Sequence, residues 1–351
     1  MQRYMGEARV SHMEVLELRK KDEKEWDAFV RRQDDATFFH LTGWKNVIER
    51  TYKHKAYYLI AREDDEIKGI LPLVLMKSMF FGKKIISVPF VYCGGVCAES
   101  SDAANSLTNK AITITKNSGV DFLELRNCSE DVNLPATNYT FVTSILELSP
   151  DSEDVFRKMS KNKRKTIRKA EKQNLKAEWG EDVKSFYRLY AHNMRDLGTP
   201  VHSYNFFYNI LHNFPNNSKI LLAKRGEGVL YAALFLFYKD MMMDFMSSTL
   251  GKYRKYYPTD FGIWTAIKYA CENGYRYFDF ARSIQGSSNQ EFKKRWNTET
   301  KQLYYQYYLN TSNIPDYDIS NKKYQTFIRM WKKVPVPVAK VVGPRIRRNI
   351  P

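Results

Sequence analysis

The spacing of hydrophobic positions changes repeatedly along the chain, and each change marks an element. Residues 14–18, EVLEL, alternate as a short strand, whereas in DEKEWDAFVRR (22–32) Trp26, Phe29 and Val30 fall on one side of a helix. A loop and a second helix follow over 37–52. AYYLIARE (56–63) and ILPLVLMKS (70–78) flank the acidic turn DDEIKG and read as a hairpin. FGKKIISVPF (81–90) predicts another strand, 102–118 a helix ending near Gly119, and DFLELRN (121–127) a strand. FVTSILEL (141–148) then closes a first lobe at Ser149–Pro150.

The plan repeats beyond that point. Residues 151–173 predict one long basic helix capped by Asp151, Ser152 or Asp154, followed by the strand LKAEWG. DVKSFYRLYAHNMRDLG predicts a helix stopped by Gly198 and Pro200. KILLAKR (219–225) and VLYAALFLFYKD (229–240) form a hairpin, and MMMDFMSSTL (241–250) a third strand. A helix over 259–273, begun by Thr259 or Asp260, leads to the strand RYFDFAR (276–282). A short helix (289–296) and the strand KQLYYQYYL (301–309) complete the lobe. Hairpins mixed with helical crossovers predict mixed sheets rather than wholly parallel ones. The expected fold class is α/β (α+β), with lobes over 14–150 and 151–310 and a tail over 311–351.

Length agrees with that division, since 351 residues suit two cores of about 150 residues better than one. No apolar run reaches the roughly 20 residues of a transmembrane helix. The start, MQRYMGEARVSHMEVLELRKK, has no hydrophobic signal core, so a cytoplasmic protein is expected. The four cysteines, Cys93, Cys97, Cys128 and Cys271, include only one close pair, which is a poor zinc pattern. Small buried thiols in a reducing compartment, and no metal site, are the expectation.

The net charge of +17 changes the picture of partners. It suits RNA, a pyrophosphate-bearing substrate or an anionic membrane face. The segment 331–351 has four prolines, six basic residues and no acidic one. It either lies on a partner or on the inner membrane face, making a peripheral contact, or straps the lobes together.

Four segments carry candidate chemistry. The first, RKMSKNKRKTIRKAEK (157–172), has nine basic residues against one acidic. With Met159, Ile167 and Ala170 turned inward, Lys161, Arg164 and Arg168 gather where phosphate oxygens would be held, unless the run is simply a solvated face. In FDFARSIQGSSNQEFKKRWN (278–297) a strand delivers Asp279 and Arg282, and a short helix presents Phe292 and Lys293. Lys293 could place an ammonium at a developing oxyanion, with Asp279 orienting an amine; a surface lysine and a strand-end ion pair are the plainer reading. GKYRKYYPTDFG (251–262) sets Lys252 and Arg254 before a helix N-terminus, a candidate anion seat or an ordinary capped loop. HNMRDLGTPVHS (192–203) offers Arg195 as a substrate contact, or a helix end stopped by Gly198 and Pro200.

In this order, FFHLTGW (38–44), the run over 69–96, FLELRN (122–127), SKNKRKTIRKAEK (160–172), FDFARS (278–283) and EFKKRW (291–296) resemble the FemAB-like branch of the GNAT superfamily. The likeness is to the type associated with bacterial exopolysaccharide and exosortase systems, and it covers about residues 14–310. It implies tandem GNAT-like domains that move an acyl or aminoacyl group to an amine, from aminoacyl-tRNA or acyl-CoA as donor. The acceptor it implies is an anionic, nucleotide- or lipid-linked cell-envelope precursor. The family's Phe-Lys pair falls on Phe292 and Lys293, the lysine stabilising the tetrahedral intermediate, and no bound cofactor is implied. This chain departs from the family where Ala281 and Asn297 replace glycines, changes expected to narrow the site. The usual pyrophosphate loop of simple GNAT enzymes is absent from 251–262.

Overall fold

The computed structural model describes residues 13–78, 82–130, 132, 134–311 and 322–350. Phe81, the first residue of one expected strand, and residues 312–321 of the tail lie outside them.

The first half contains β1 (Glu14–Glu17), α1 (Glu23–Arg32), α2 (Thr42–Tyr52), β2 (Lys55–Glu63), β3 (Glu66–Ser78), β4 (Gly82–Ser87) and β5 (Cys97–Ala98). It continues with α3 (Ser101–Asn117), β6 (Phe122–Asn127), β7 (Ala136–Asn138) and β8 (Phe141–Glu147). The second half contains α4 (Ser152–Lys158), α5 (Lys161–Glu171), β9 (Lys176–Gly180), α6 (Val183–Leu197), α7 (Tyr204–Asn213), β10 (Ser218–Arg225), β11 (Gly228–Tyr238) and β12 (Met241–Thr249). After it come α8 (Pro258–Glu272), β13 (Tyr277–Ile284), α9 (Ser288–Lys294), β14 (Glu299–Gln302) and β15 (Tyr304–Leu309). Two helices end the chain, α10 (Lys322–Trp331) and α11 (Val336–Arg347).

Two mixed sheets result. One has the order β1-β2-β3-β4-β6-β15-β7 with β5 on β3, the other β14-β8-β13-β12-β11-β10-β9. Each is built round the same unit: three antiparallel strands, then a helical crossover into a parallel strand. In the first half this is β2-β3-β4, α3 and β6; in the second, β10-β11-β12, α8 and β13. The α/β class and the repeated plan therefore stand as read from the sequence.

The lobes are less separate than the sequence suggested. The strand expected to close the first lobe, β8, pairs instead with β13 and β14 of the second sheet. The expected last strand is split at Leu303: β14 stays in the second sheet, while β15 crosses to pair with β6 and β7 of the first. Tyr305 and Tyr307 of β15 are buried, so each half completes its sheet with the other half's strand. The FFHLTGW segment is a wedge between them. Phe38 lies 4.4 Å from Phe214 between ring centroids, and Trp44 lies 5.7 Å from Phe245. Each such buried aromatic contributes about 1.5–3 kcal/mol.

Local chemistry explains two other departures. The single basic helix expected over 151–173 is two helices, because the chain is extended at Met159 and Ser160, and the Ser160 hydroxyl caps α5 by accepting from Lys163 N–H at 3.2 Å. The helix expected from 259 starts at Pro258 with no side-chain cap; the Asp260 carboxylate is instead bonded to Lys163. α7 was not anticipated from its aromatic sequence. Cys93 and Cys128 are joined in a disulfide, with Cα atoms 5.8 Å apart, rather than held as reduced thiols; Cys97 and Cys271 are free and buried. The pairing links a loop to the residue after β6 across 35 positions, which local spacing does not reveal. No described helix is long and apolar enough to cross a membrane.

Candidate active site

The parallel strands β12 and β13 are hydrogen-bonded only over Met241–Met243 and Tyr277–Asp279, although they run on to Thr249 and Ile284. Both are irregular where this ladder stops. On β12 an extra residue, Phe245, sits between Asp244 and Met246 opposite Leu234–Phe235. On β13 the register against β8 shifts between Asp279 and Arg282. These are β-bulges, which redirect side chains and carbonyls at a strand end.

The β13 bulge holds Lys293. Ala281 adopts φ 56°, and its carbonyl and that of Arg282 accept hydrogen bonds from Lys293 Nζ at 2.7 and 3.0 Å. α9 carries this lysine from a helix capped by Ser287, whose hydroxyl accepts from Gln290 N–H. The side chain is buried, and two of its three N–H donors are used on these carbonyls, leaving one. Burial pushes its pKa down to about 8, against the pull of Asp279 and Asp244 in the other direction.

Both carboxylates are buried. Asp279 accepts from Thr143 Oγ1 and from Ala281 N–H, each at 2.7 Å, and from the Tyr92 hydroxyl. Burial raises its pKa, partly offset by these donors. Asp244 is raised to about 6 by burial, and its Oδ1 has no hydrogen-bond partner. An unsatisfied buried oxygen is costly and marks a group kept for more than packing.

Tyr92 comes from the other half of the molecule. It lies on the loop between β4 and β5, where Val88 and Phe90 have φ 45° and 71°. A β-branched residue in that region is strained and persists only if its surroundings enforce it. Here Arg126 donates to Val91 O at 2.6 Å, Tyr305 to Tyr92 O at 3.1 Å, and the disulfide fixes Cys93. A cavity of about 340 Å³ opens beside this junction, lined by Asp279, Tyr92, Thr143, Cys128 and Lys301 among others. Lys293 does not line it.

The remaining sequence candidates divide. Lys161, Arg164 and Arg168 share an open basic groove on α5 with Lys165, Lys169 and Lys172. The groove is tied to the lysine helix. Ser160 Oγ donates to Arg295 O at 3.4 Å, and Lys163 Nζ pairs with Asp260 at 2.6 Å while lying 4.3 Å from the Phe292 and Trp296 ring centroids. Phe292 is thus engaged by Lys163 rather than turned to an open pocket. Arg282 donates to Tyr305 Oη at 3.0 Å and lies over Phe141, so it braces the two sheets. Arg195 does not join the group: it bonds Asp196 and the Val334 carbonyl, clamping the C-terminal segment to α6. Lys252 and Arg254 stand exposed on a 3-10 turn before α8, whose N-terminus already holds Asp260. Among the described residues no group of three metal-ligating side chains gathers.

Asp244, Tyr92 and Thr143 were missed by sequence reasoning. An acid inside MMMDFM was a usable signal, because a carboxylate within a core strand demands an explanation. The other two are brought in by long-range pairing and had no local signature.

The second sheet's parallel strands splay beyond Met243 and Asp279, and the buried lysine is held by the bulge there. Residues 157–294 match the family of the Acetyltransferase (GNAT) domain. The chain superposes on the crystal structure of FemX with a TM-score of 0.67 at 16% identity, over 85% of this chain and 98% of that one. It is also similar to L-PGS from Bacillus licheniformis (TM-score 0.53, 11% identity, 94% and 97% covered) and to a tandem GNAT protein from the clavulanic acid biosynthesis pathway (0.52, 9%, 87% and 100%). No curated protein matches by sequence. Residues 157–294 thus carry a GNAT-type domain, and the fold of the chain is that of FemX.

Proposed function

We propose that the chain is an N-acyl- or aminoacyltransferase that moves an activated group to an amine of a cell-envelope precursor, peptidoglycan or polysaccharide. The carrying observation is the buried Lys293 ammonium, held by the carbonyls of the β13 bulge under the influence of Asp279 and Asp244, with one donor left over. The amine nitrogen attacks the activated carbonyl, the carbonyl oxygen gains the electron pair, and the bond to the carrier breaks as the tetrahedral species collapses, the proton lost by the amine ending on the departing carrier oxygen or sulfur. An ammonium preorganised at that oxygen contributes about 3 kcal/mol to the transition state. Asp244 and Asp279 keep Lys293 charged, and Asp279 also holds the bulge through Ala281 N–H.

The α5 groove, with Lys161, Arg164 and Arg168, is the proposed seat for phosphates of donor or acceptor, since it abuts the lysine helix through Ser160 and Lys163. Aminoacyl-tRNA or acyl-CoA is the proposed donor, with no bound cofactor needed. Likeness to FemX and to the C-terminal domain of a putative lysylphosphatidylglycerol synthetase from Agrobacterium fabrum (TM-score 0.54, 11% identity, 81% of this chain and 90% of that one) supports an envelope acceptor.

The test is a mass-spectrometric comparison of envelope precursors from cells with and without the protein. A precursor lacking one acyl or aminoacyl increment is expected in its absence, and an unchanged profile overturns the reading. Ribonuclease treatment of the active extract separates the donors, because only transfer from tRNA is abolished. A second reading rests on the basic groove itself, which suits a non-catalytic binder of RNA or anionic glycolipid. That reading requires affinity that falls steeply with salt and no turnover.

A further inference from the structure

The last helices are apolar on two sides. The inner side of α11 is packed: Val336, Ala339 and Gly343 are buried, and a Cβ on Gly343 would meet Val201 Cγ2 at 2.8 Å. Arg347 anchors the helix by donating to His202 Nε2 at 3.0 Å, and His54 Nε2 donates to Arg348 O at 2.7 Å. So the segment is strapped to the lobes, as one of the two sequence readings held.

The outer side of the strap is not polar. Val338, Val341, Val342 and Arg345 follow the spacing of one helical face, and all are exposed, Val341 at 62%. On α10, Phe327 and Met330 are also exposed, as is Leu197 at the neighbouring end of α6, where Gly198 abuts Ile328. Nine large hydrophobics are exposed among the described residues, and six of them belong to this region. Scattered exposure would be ordinary; concentration on one strap marks a contact surface. Lys332, Lys333, Arg345 and Arg348 are exposed in the same segment, and residues 322–351 hold no acidic side chain.

We propose that this face docks on an anionic lipid bilayer, with Val338, Val341, Val342 and Met330 entering the acyl boundary and the lysines and arginines meeting lipid phosphates. Charge selects the bilayer over a second copy, because two chains of net charge +17 would bring like-charged rims together. A helix with an apolar outer face and basic flanks lies in the plane of such an interface. The proposal stands apart from the transfer chemistry and can fail without it.

Full-length protein is pelleted with phosphatidylcholine vesicles, with or without phosphatidylglycerol. Pelleting with the phosphatidylglycerol vesicles alone is expected, weakened by salt. Arg345→Gln should reduce partitioning about five-fold. Val341→Asp with Val342→Asp should reduce it at least about ten-fold with unchanged Tm, because both side chains point outward. Val341→Ser provides a milder check on the same face, with a smaller loss expected. Three results overturn the proposal: no pelleting of wild type, double-variant pelleting equal to wild type, or a concentration-dependent dimer that the double variant abolishes.

Discussion

The two halves use the same three-strand-plus-crossover unit and finish it differently. In the first half, the position beyond the parallel β4/β6 ladder is closed. Arg126 Nε donates to Glu124 at 2.7 Å, its Nη1 donates to Val91 O, and the chain after Ser87 folds across the gap. In the second half, β12 and β13 part, and Lys293 bonds the carbonyls of the β13 bulge rather than a carboxylate, with Asp244 lacking a partner on one oxygen and Lys293 keeping a free donor. A buried charge neutralised in an ion pair, as Arg126 is by Glu124, is structural. Buried charges with valence to spare have bonding capacity for a reacting group. The first half still serves the second, by sending Tyr92 to Asp279 on a strained, disulfide-pinned loop.

Matched removals sharpen that contrast most. Arg126→Met breaks the buried ion pair with Glu124 and should destabilise the fold by about 3–5 kcal/mol, read as a lowered denaturant midpoint. Lys293→Met removes an equally buried cation, but Asp244 and Asp279 already have raised pKa values and take up protons, so the loss of stability should be much smaller. Equal losses would erase the distinction between the halves.

The pH dependence follows from the same groups. With Lys293 at about 8, the ammonium is present below that pH and lost above it, so kcat should fall about ten-fold per pH unit on the alkaline side. Asp244, at about 6, is ionised across this alkaline range, so Asp244→Asn should move the alkaline limb lower, because Asp244 raises the pKa of Lys293. An unmoved alkaline limb would break the link between them.

In the groove, Arg164→Gln should raise KM about ten-fold with kcat retained, the loss of one charge-assisted hydrogen bond. The smallest effect is expected at Ala281→Gly. Relief of the left-handed φ is largely offset by glycine's greater unfolded entropy, so stability should rise by less than about 1 kcal/mol. Ala281 and Asn297 both have positive φ, at 56° and 67°, a backbone conformation that glycine adopts without strain. At Ala281 the consequence is backbone strain within the bulge.

Much of the fold was legible because it is local. Period-two runs gave the hairpins β2/β3 and β10/β11, and the apolar stripe of α5 gave its buried residues Ile167 and Ala170. The site was legible only as far as FDFARS and EFKKRW carried it. Tyr92, Thr143 and the Cys93–Cys128 bond depend on contacts between distant parts of the chain, and the crossing of β8 and β15 depends on which edge each strand finds. A disulfide there also departs from the reduced thiols expected of a cytoplasmic protein. The break at Met159–Ser160 was hidden by a charge run that reads as helix throughout.

The central claim is that the Lys293 ammonium stabilises charge in the transferring step. Single-turnover transfer by Lys293→Ala, measured beside its thermal midpoint, tests it most directly. A rate lower by about 10²–10³ in a protein that melts within a few degrees of wild type is the predicted result. A folded variant that turns over within a few-fold of wild type would contradict it.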